Sequence, residues 1–100
     1  MAVNSPYSPK QITVDNASWT ALTAPFDSLS VIIPSDTAVD VKFRSDPNDA
    51  TTQATIPAGS ELPIDGFVGS YDRFRFRAGQ VVGYLQATLG TVTIAPRWKR

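Results

Sequence analysis

The sequence predicts an all-β protein, and three observations lead to that expectation. Residues 39–44 and 73–78 alternate strictly between apolar and charged side chains, as half-buried strands do. Proline, glycine, asparagine and aspartate interrupt the chain at intervals of roughly 8 to 12 residues, which is typical of turns between short strands. The segment nearest to a helix pattern, residues 19–26, contains Pro25 and β-branched threonines, so no helix is expected.

Eight segments read as strands because each is short, apolar or alternating, and bounded by turn residues. In chain order they are residues 11–14, 28–33, 39–44, 51–56, 61–64, 73–78, 81–88 and 91–94. They predict a single antiparallel β-sandwich, jelly-roll or Ig-like, of about seven or eight short strands. We expect this sandwich to span residues 11–95, after an extended or flexible N-terminal arm at 1–10 and before a basic C-terminal tail at 96–100.

The alternation also predicts which side chains face the core. The expected inward residues are Ile12, Val14, Leu29, Val31, Ile33, Val39, Val41, Phe43, Ile56, Phe74, Phe76, Leu85, Val92 and Ile94. Trp19 is expected to join them, with stacking on a sugar as the alternative interpretation.

The composition argues against catalysis. The chain has no Cys and no His, so it lacks the thiol nucleophile, the usual general base and the commonest metal ligands. Its carboxylates are scattered singly, and no phosphate-binding loop or G-x-S-x-G motif is present. A calcium loop at Asp46, Asn48 and Asp49 would lack the usual glycine and distal glutamate, so an ordinary turn is expected there. We therefore expect that the protein is not an enzyme and binds neither a metal nor a cofactor.

Zero net charge conceals an uneven distribution along the chain. Residues 1–72 contain three basic and nine acidic residues, a net charge of −6, whereas residues 73–100 contain six basic residues and no acid. The two parts could neutralise each other inside one molecule, or they could form a contact between an acidic and a basic surface of different subunits. A pI near 6.1 does not favour nucleic acid as the partner.

The basic part supplies the candidate partner-binding residues. Arg73, Arg75 and Arg77 would form a stripe on one strand face, able to bind carboxylates or phosphates, or simply to pair with acids across the sheet. Arg97, Trp98, Lys99 and Arg100 form the second candidate, in which Trp98 either anchors a partner or folds back over its own sandwich. If the tail is the anchor, deleting residues 97–100 should abolish binding and leave the fold intact.

Residues 28–95 resemble the small β-sandwich structural proteins of tailed bacteriophages. The resemblance rests on the V-D-V-K-F-R strand, the following polar loop, the I-P-A-G-S turn and the closing T-V-T-I strand. It implies a non-enzymatic virion protein, such as a capsid decoration or cement protein that forms a homo-oligomer, with a trimer favoured, and binds the major capsid protein or another virion protein. Localisation in the virion follows from this, after synthesis in the host cytoplasm.

The alternative function is a carbohydrate- or receptor-binding module of a phage fibre or tail. In that case exposed aromatic side chains would stack on sugar rings. The candidates are Tyr7, Trp19, Tyr71 and Tyr84. Neither a secretory signal nor a segment able to cross a membrane is expected from the sequence.

Overall fold

The computed structural model describes residues 7–64 and 76–100, and these residues confirm the all-β prediction. They form ten strands, one turn of 3-10 helix at Ala50–Thr52 and no α-helix. The strands are β1 (Tyr7–Pro9), β2 (Ile12–Asp15), β3 (Thr20–Thr23), β4 (Ser30–Pro34), β5 (Val41–Arg44), β6 (Ala54–Ile56), β7 (Glu61–Ile64), β8 (Val81–Ala87), β9 (Thr91–Ile94) and β10 (Arg97–Lys99). No helix among the described residues could span a membrane.

Two four-stranded antiparallel sheets make the sandwich. One has the order β1-β10-β4-β7 and the other the order β3-β8-β5-β6, while β2 and β9 pair between them. The two strand orders correspond because one antiparallel ribbon, in which residues 7–23 pair with residues 81–99, passes from the first sheet to the second. A second ribbon, in which residues 30–44 pair with residues 54–64, lies beside the first and also passes from one sheet to the other. Two ribbons folded side by side in this way form a jelly roll.

The first ribbon keeps one register across the gap between its strands. Tyr7 lies opposite Lys99, and Asp15 lies opposite Thr91. At the interruption, the Lys10 amide still donates to the Pro96 carbonyl at 3.0 Å. The segment predicted as an arm is therefore an edge strand over Tyr7–Pro9, and its pairing with the chain's last strand holds it in place.

The C-terminal prediction was wrong at the level of secondary structure. Arg97–Lys99 is not a tail but a strand in the interior of a sheet, paired with β1 on one side and β4 on the other. Pro96 does not end the strand region: the ribbon is interrupted at Ala95 and Pro96, and pairing resumes at Arg97. The reason is that Trp98 has an inward position opposite Val31, and its burial stabilises the strand.

Other differences from the predicted strands are local. Thr20–Thr23 is a strand within the segment that had most resembled a helix, and the segment predicted as a strand at 51–56 begins with the 3-10 turn. Arg73, Phe74 and Arg75 lie outside the described residues. In the second half of the predicted strand 73–78, Phe76 forms an isolated bridge with Ser28, and Arg77 and Ala78 are both exposed.

The core lies between the two sheets and includes the predicted inward residues of the central strands. Its buried apolar members are Val14, Leu22, Ala24, Val31, Ile33, Val41, Phe43, Ile56, Phe76, Leu85, Ala87, Ile94 and Trp98. Leu22, Ala24 and Ala87 were not predicted, and for Trp98 a position over its own sandwich was one of the two interpretations left open. Ile12, Val39 and Val92 are partly buried at the margin of this cluster, and Leu29 is also partly buried.

Phe76, which precedes β8, is tied to the connection between β3 and β4. Ser28 and Phe76 exchange backbone hydrogen bonds of 2.8 and 2.9 Å, and the Ser28 hydroxyl donates to the Phe26 carbonyl. Behind this bridge the rings of Phe76 and Trp98 pack edge to face, with centroids 6.4 Å apart. Ser28 of the β3–β4 connection and Phe76 are thus joined to each other beside Trp98 of the first ribbon.

Candidate functional site

Two of the C-terminal cations form ion pairs with acids from the earlier part of the chain. Arg77 lies 3.5 Å from Asp27, whose carboxylate also accepts from the Ala78 amide. Arg97 pairs with Glu61 across the outer surface of the first sheet. These pairs bring the acidic and basic parts of the sequence together within one molecule.

Two further C-terminal cations lie over aromatic rings of their own chain. The Lys99 ammonium is 5.9 Å from the centroid of Tyr7, and the Arg100 guanidinium is 4.0 Å from that of Phe26. Cation–π contacts of this kind hold the side chains against the surface. The five described residues of the predicted partner-binding set thus all make contacts with their own fold.

Trp98 is the clearest correction among them. Only 1% of its surface is exposed, because its ring fills the core between β4 and Phe76. Of the two interpretations left open, the structure places the ring in its own sandwich. Arg73 and Arg75, the other two members of the arginine stripe, lie outside the described residues.

A different cluster of aromatic and cationic side chains lies on the outer face of the second sheet. In β5, Val41 and Phe43 point into the core, so Lys42 and Arg44 point outward. Lys42 lies opposite Gln86 and Arg44 lies opposite Tyr84. Tyr84 in turn lies opposite Ala21 of β3.

Trp19 completes this face from the start of β3. The Arg44 guanidinium is 4.6 Å and the Lys42 ammonium 5.6 Å from the centroid of its indole. Trp19 is therefore a half-buried surface residue and not the core residue that the sequence suggested. We call Trp19, Lys42, Arg44 and Tyr84 the aromatic–cationic face.

The charge on this face is positive. Arg44 Nε donates to the Gln53 side chain at 2.9 Å, and its Nη1 donates to the Pro47 carbonyl at 3.0 Å. Within residues 7–64 and 76–100, no carboxylate forms an ion pair with Lys42 or Arg44. Two fixed cations beside two aromatic rings can bind a carboxylate or phosphate while an apolar or sugar ring packs alongside.

The loop next to this face is an ordinary turn. Asp46 accepts from the Asn48 amide, and Asp49 accepts from both the amide and the hydroxyl of Thr51. Hydrogen bonds from the Thr51 hydroxyl and then its amide lower the pKa of Asp49; desolvation opposes them, and the nearby Arg44 charge lowers the pKa further. No group of three or more possible metal-ligating side chains occurs in the described part of the chain.

Sequence reasoning missed the aromatic–cationic face although a usable signal was present. Leu22 and Ala24 occupy even-numbered positions and are buried, so the alternation of β3 places Trp19 on the opposite side. The register that brings Trp19 beside Lys42 and Arg44 joins β3, β8 and β5, and no local pattern specifies it.

No protein family model matches the chain, and comparison with curated proteins and with solved structures gives no match either.

Proposed function

We propose that this protein is a non-enzymatic structural protein of a bacteriophage virion, a capsid decoration or cement protein that oligomerises and binds the major capsid protein lattice. The observation that carries the proposal is the jelly-roll strand order of both sheets, an architecture that viral capsid proteins use. This support is an analogy at the level of fold, since the same architecture also serves lectin domains. The resemblance of residues 28–95 to phage structural proteins favours the virion role.

The aromatic–cationic face is the docking surface that we assign to this role. Aromatic side chains and arginine are enriched where protein interfaces gain most of their binding energy. Lys42 and Arg44 are already held in place against Trp19, so binding an acidic surface would cost them little conformational entropy. The C-terminal cations are less suited, because Arg77 and Arg97 are paired with the chain's own carboxylates.

Charge reversal on this face should release the protein from virus particles. In the double variant Lys42→Glu/Arg44→Glu, two cations become anions, and we expect at least about a tenfold weaker affinity, which corresponds to about 1.4 kcal/mol. The measurement is co-sedimentation of the purified protein with particles depleted of it. Because both side chains lie on the solvent side of β5, circular dichroism should show an unchanged fold.

Lys10→Glu is the matched control. Lys10 is exposed and lies in the interruption between β1 and β2, away from the aromatic–cationic face. Its reversal should leave sedimentation with particles unchanged. Equal losses for both variants would mean that overall charge, and not this face, governs binding. A wild-type protein that never sediments with particles would refute the virion role itself.

A carbohydrate-binding module is the second candidate, and one observation favours it. Trp19 and Tyr84 lie on the same outer face, where aromatic rings can stack on a sugar. A glycan array would test this candidate: a sugar bound by the wild type should be lost by Trp19→Ala and retained by Tyr7→Ala, since Tyr7 lies in the other sheet. An array without signal would remove the candidate.

A further inference from the structure

Within the described residues the two four-stranded sheets have four edge strands, and those of the first sheet carry features that discourage pairing with another chain. The edge strand β1 contains Pro9 and is followed by Lys10, while the edge strand β7 contains Pro63 and begins with Glu61. Proline cannot donate a backbone hydrogen bond to a new neighbour, and charged residues oppose the approach of another sheet edge.

The second sheet has two different edges. At one side β6 has three residues and is followed directly by Pro57. At the other side β3 has β8 as its neighbour, and no strand of the described residues pairs with its outer edge. From Asn16 to Ala24 the chain contains neither a proline nor a charged residue. Of these four edges of the two larger sheets, β3 is therefore the one without a proline or charge within or directly beside it.

The hydrogen bonds of Ala24 determine which backbone groups of β3 face outward. Its amide donates to the Gln80 carbonyl at 2.9 Å, and its carbonyl accepts from the Gly79 amide at 2.8 Å, so Ala24 faces the β8 side. Bonding alternates along an antiparallel strand. The backbone N–H and C=O groups of Leu22 and Thr20 therefore also face β8. Those of Thr23, Ala21 and Trp19 face the outer edge.

The irregularity between β3 and β8 does not disturb this alternation. The register moves from Leu22 opposite Gly83 to Thr23 opposite Val81. The additional residue, Val82, thus belongs to β8, and β3 continues without a break. Ala21 and Thr23 are exposed in the monomer.

We propose that β3 pairs with β3 of a second copy, antiparallel and about a two-fold axis at Ala21. Ala21 then faces Ala21 of the other copy, and Trp19 faces Thr23 on either side. Each of these three residue pairs exchanges two backbone hydrogen bonds, six in all. The inference rests on the oligomeric role proposed above and adds the contact: a symmetric dimer in place of the trimer that the resemblance favoured.

The dimer would enlarge the aromatic–cationic face. Two four-stranded sheets joined through β3 form one sheet of eight strands, with both copies of Trp19, Lys42, Arg44 and Tyr84 on the same side. With strands about 4.8 Å apart, the two β5 strands would lie roughly 24 Å from each other. A lattice that offers acidic sites at that spacing would be bound by two cationic clusters at once.

The mass of the full-length protein in solution tests the contact. Sedimentation equilibrium should give about twice 10.8 kDa for the wild type. Ala21→Pro removes the central outward donor and should give a monomer, because the proline replaces an amide that β8 does not use. Ala21→Thr keeps the amide at the same position and should remain a dimer.

A charge pair identifies the register without a proline. Ala21→Asp and Ala21→Lys each place like charges opposite each other, so each alone should dissociate at least about tenfold more readily than the wild type. Mixing the two should restore a dimer, since Ala21 faces its own counterpart. The Ala21→Asp and Ala21→Lys variants also test the β3 contact if Ala21→Pro fails to fold.

Three results would overturn the proposal: a monomeric wild type, a trimer, or a dimer that Ala21→Asp does not weaken. None of them bears on particle binding, which the Lys42 and Arg44 variants measure separately. A monomer that still sediments with particles would therefore refute the β3 contact and the oligomeric part of the proposed role, but not binding to the virion. A dimer that never binds particles would refute the virion role alone.

Discussion

Deleting residues 97–100 is expected to unfold the protein. The deletion removes β10, which lies between β1 and β4, and leaves both of those strands without a neighbour on that side. It also removes Trp98, whose ring packs against Phe76 in the core. This is the opposite of the result expected for a tail, where the same deletion would leave the fold intact.

A single substitution measures the main part of this effect. Trp98→Ala should lower the free energy of unfolding by about 3 to 5 kcal/mol, because a large buried ring leaves a cavity. Domains of this size are stable by about 5 to 15 kcal/mol, so the loss is a large share of the whole. Urea denaturation followed by circular dichroism gives the value.

The exposed end of the same segment provides the control. Removing Arg100 alone deletes the cation over Phe26 but keeps β10 complete, and it should cost no more than about 1 kcal/mol. If the protein without residues 97–100 unfolded cooperatively at the wild-type urea concentration, β10 could not be the central strand of its sheet.

Gly83→Ala is the second substitution expected to have a large effect. Gly83 is buried in β8, and a Cβ there would collide with Cε1 of Phe43 and lie 2.5 Å from Cζ of that ring and 2.9 Å from the Arg44 carbonyl oxygen. Phe43 belongs to the core and cannot simply turn away. Overpacking of this kind costs about 1 to 3 kcal/mol, measurable as a lower urea midpoint.

Two controls separate this collision from other effects of losing a glycine. Gly90→Ala meets nothing within 4 Å but strains a backbone with φ of +67°, so it reports the conformational cost alone. In a protein that already carries Phe43→Leu, Gly83→Ala should lower the free energy of unfolding by less than it does in the wild type. Strict additivity of the two changes would show that the ring is not what excludes a side chain at residue 83.

The strands that alternation predicted were those in which side-chain polarity follows burial. Val41–Arg44 is the clearest case, because its two apolar residues are buried and its two cations face outward. β3 was missed since Trp19 places an apolar ring on the outer face and so obscures the alternation with Leu22. β1 was missed because Pro9 suggests an irregular segment, whereas distant pairing fixes this strand.

The strand β10 was predicted as part of a tail for a related reason. Arg97, Trp98 and Lys99 do alternate, but three residues after a proline are too few to indicate a strand. The charge distribution was the better guide there. Of the two interpretations left open, neutralisation within one molecule accounts for Arg77 with Asp27 and for Arg97 with Glu61.

The register of the first ribbon has a consequence for the order of events during synthesis. Tyr7 pairs with Lys99, which is synthesised 92 positions later. The sheet that contains β1 therefore cannot be completed until the ribosome has released residue 99 from its exit tunnel. Such distant pairings also slow folding. Until then the edge of β4 that β10 will cover is unpaired, and over this period a chaperone would protect the nascent chain.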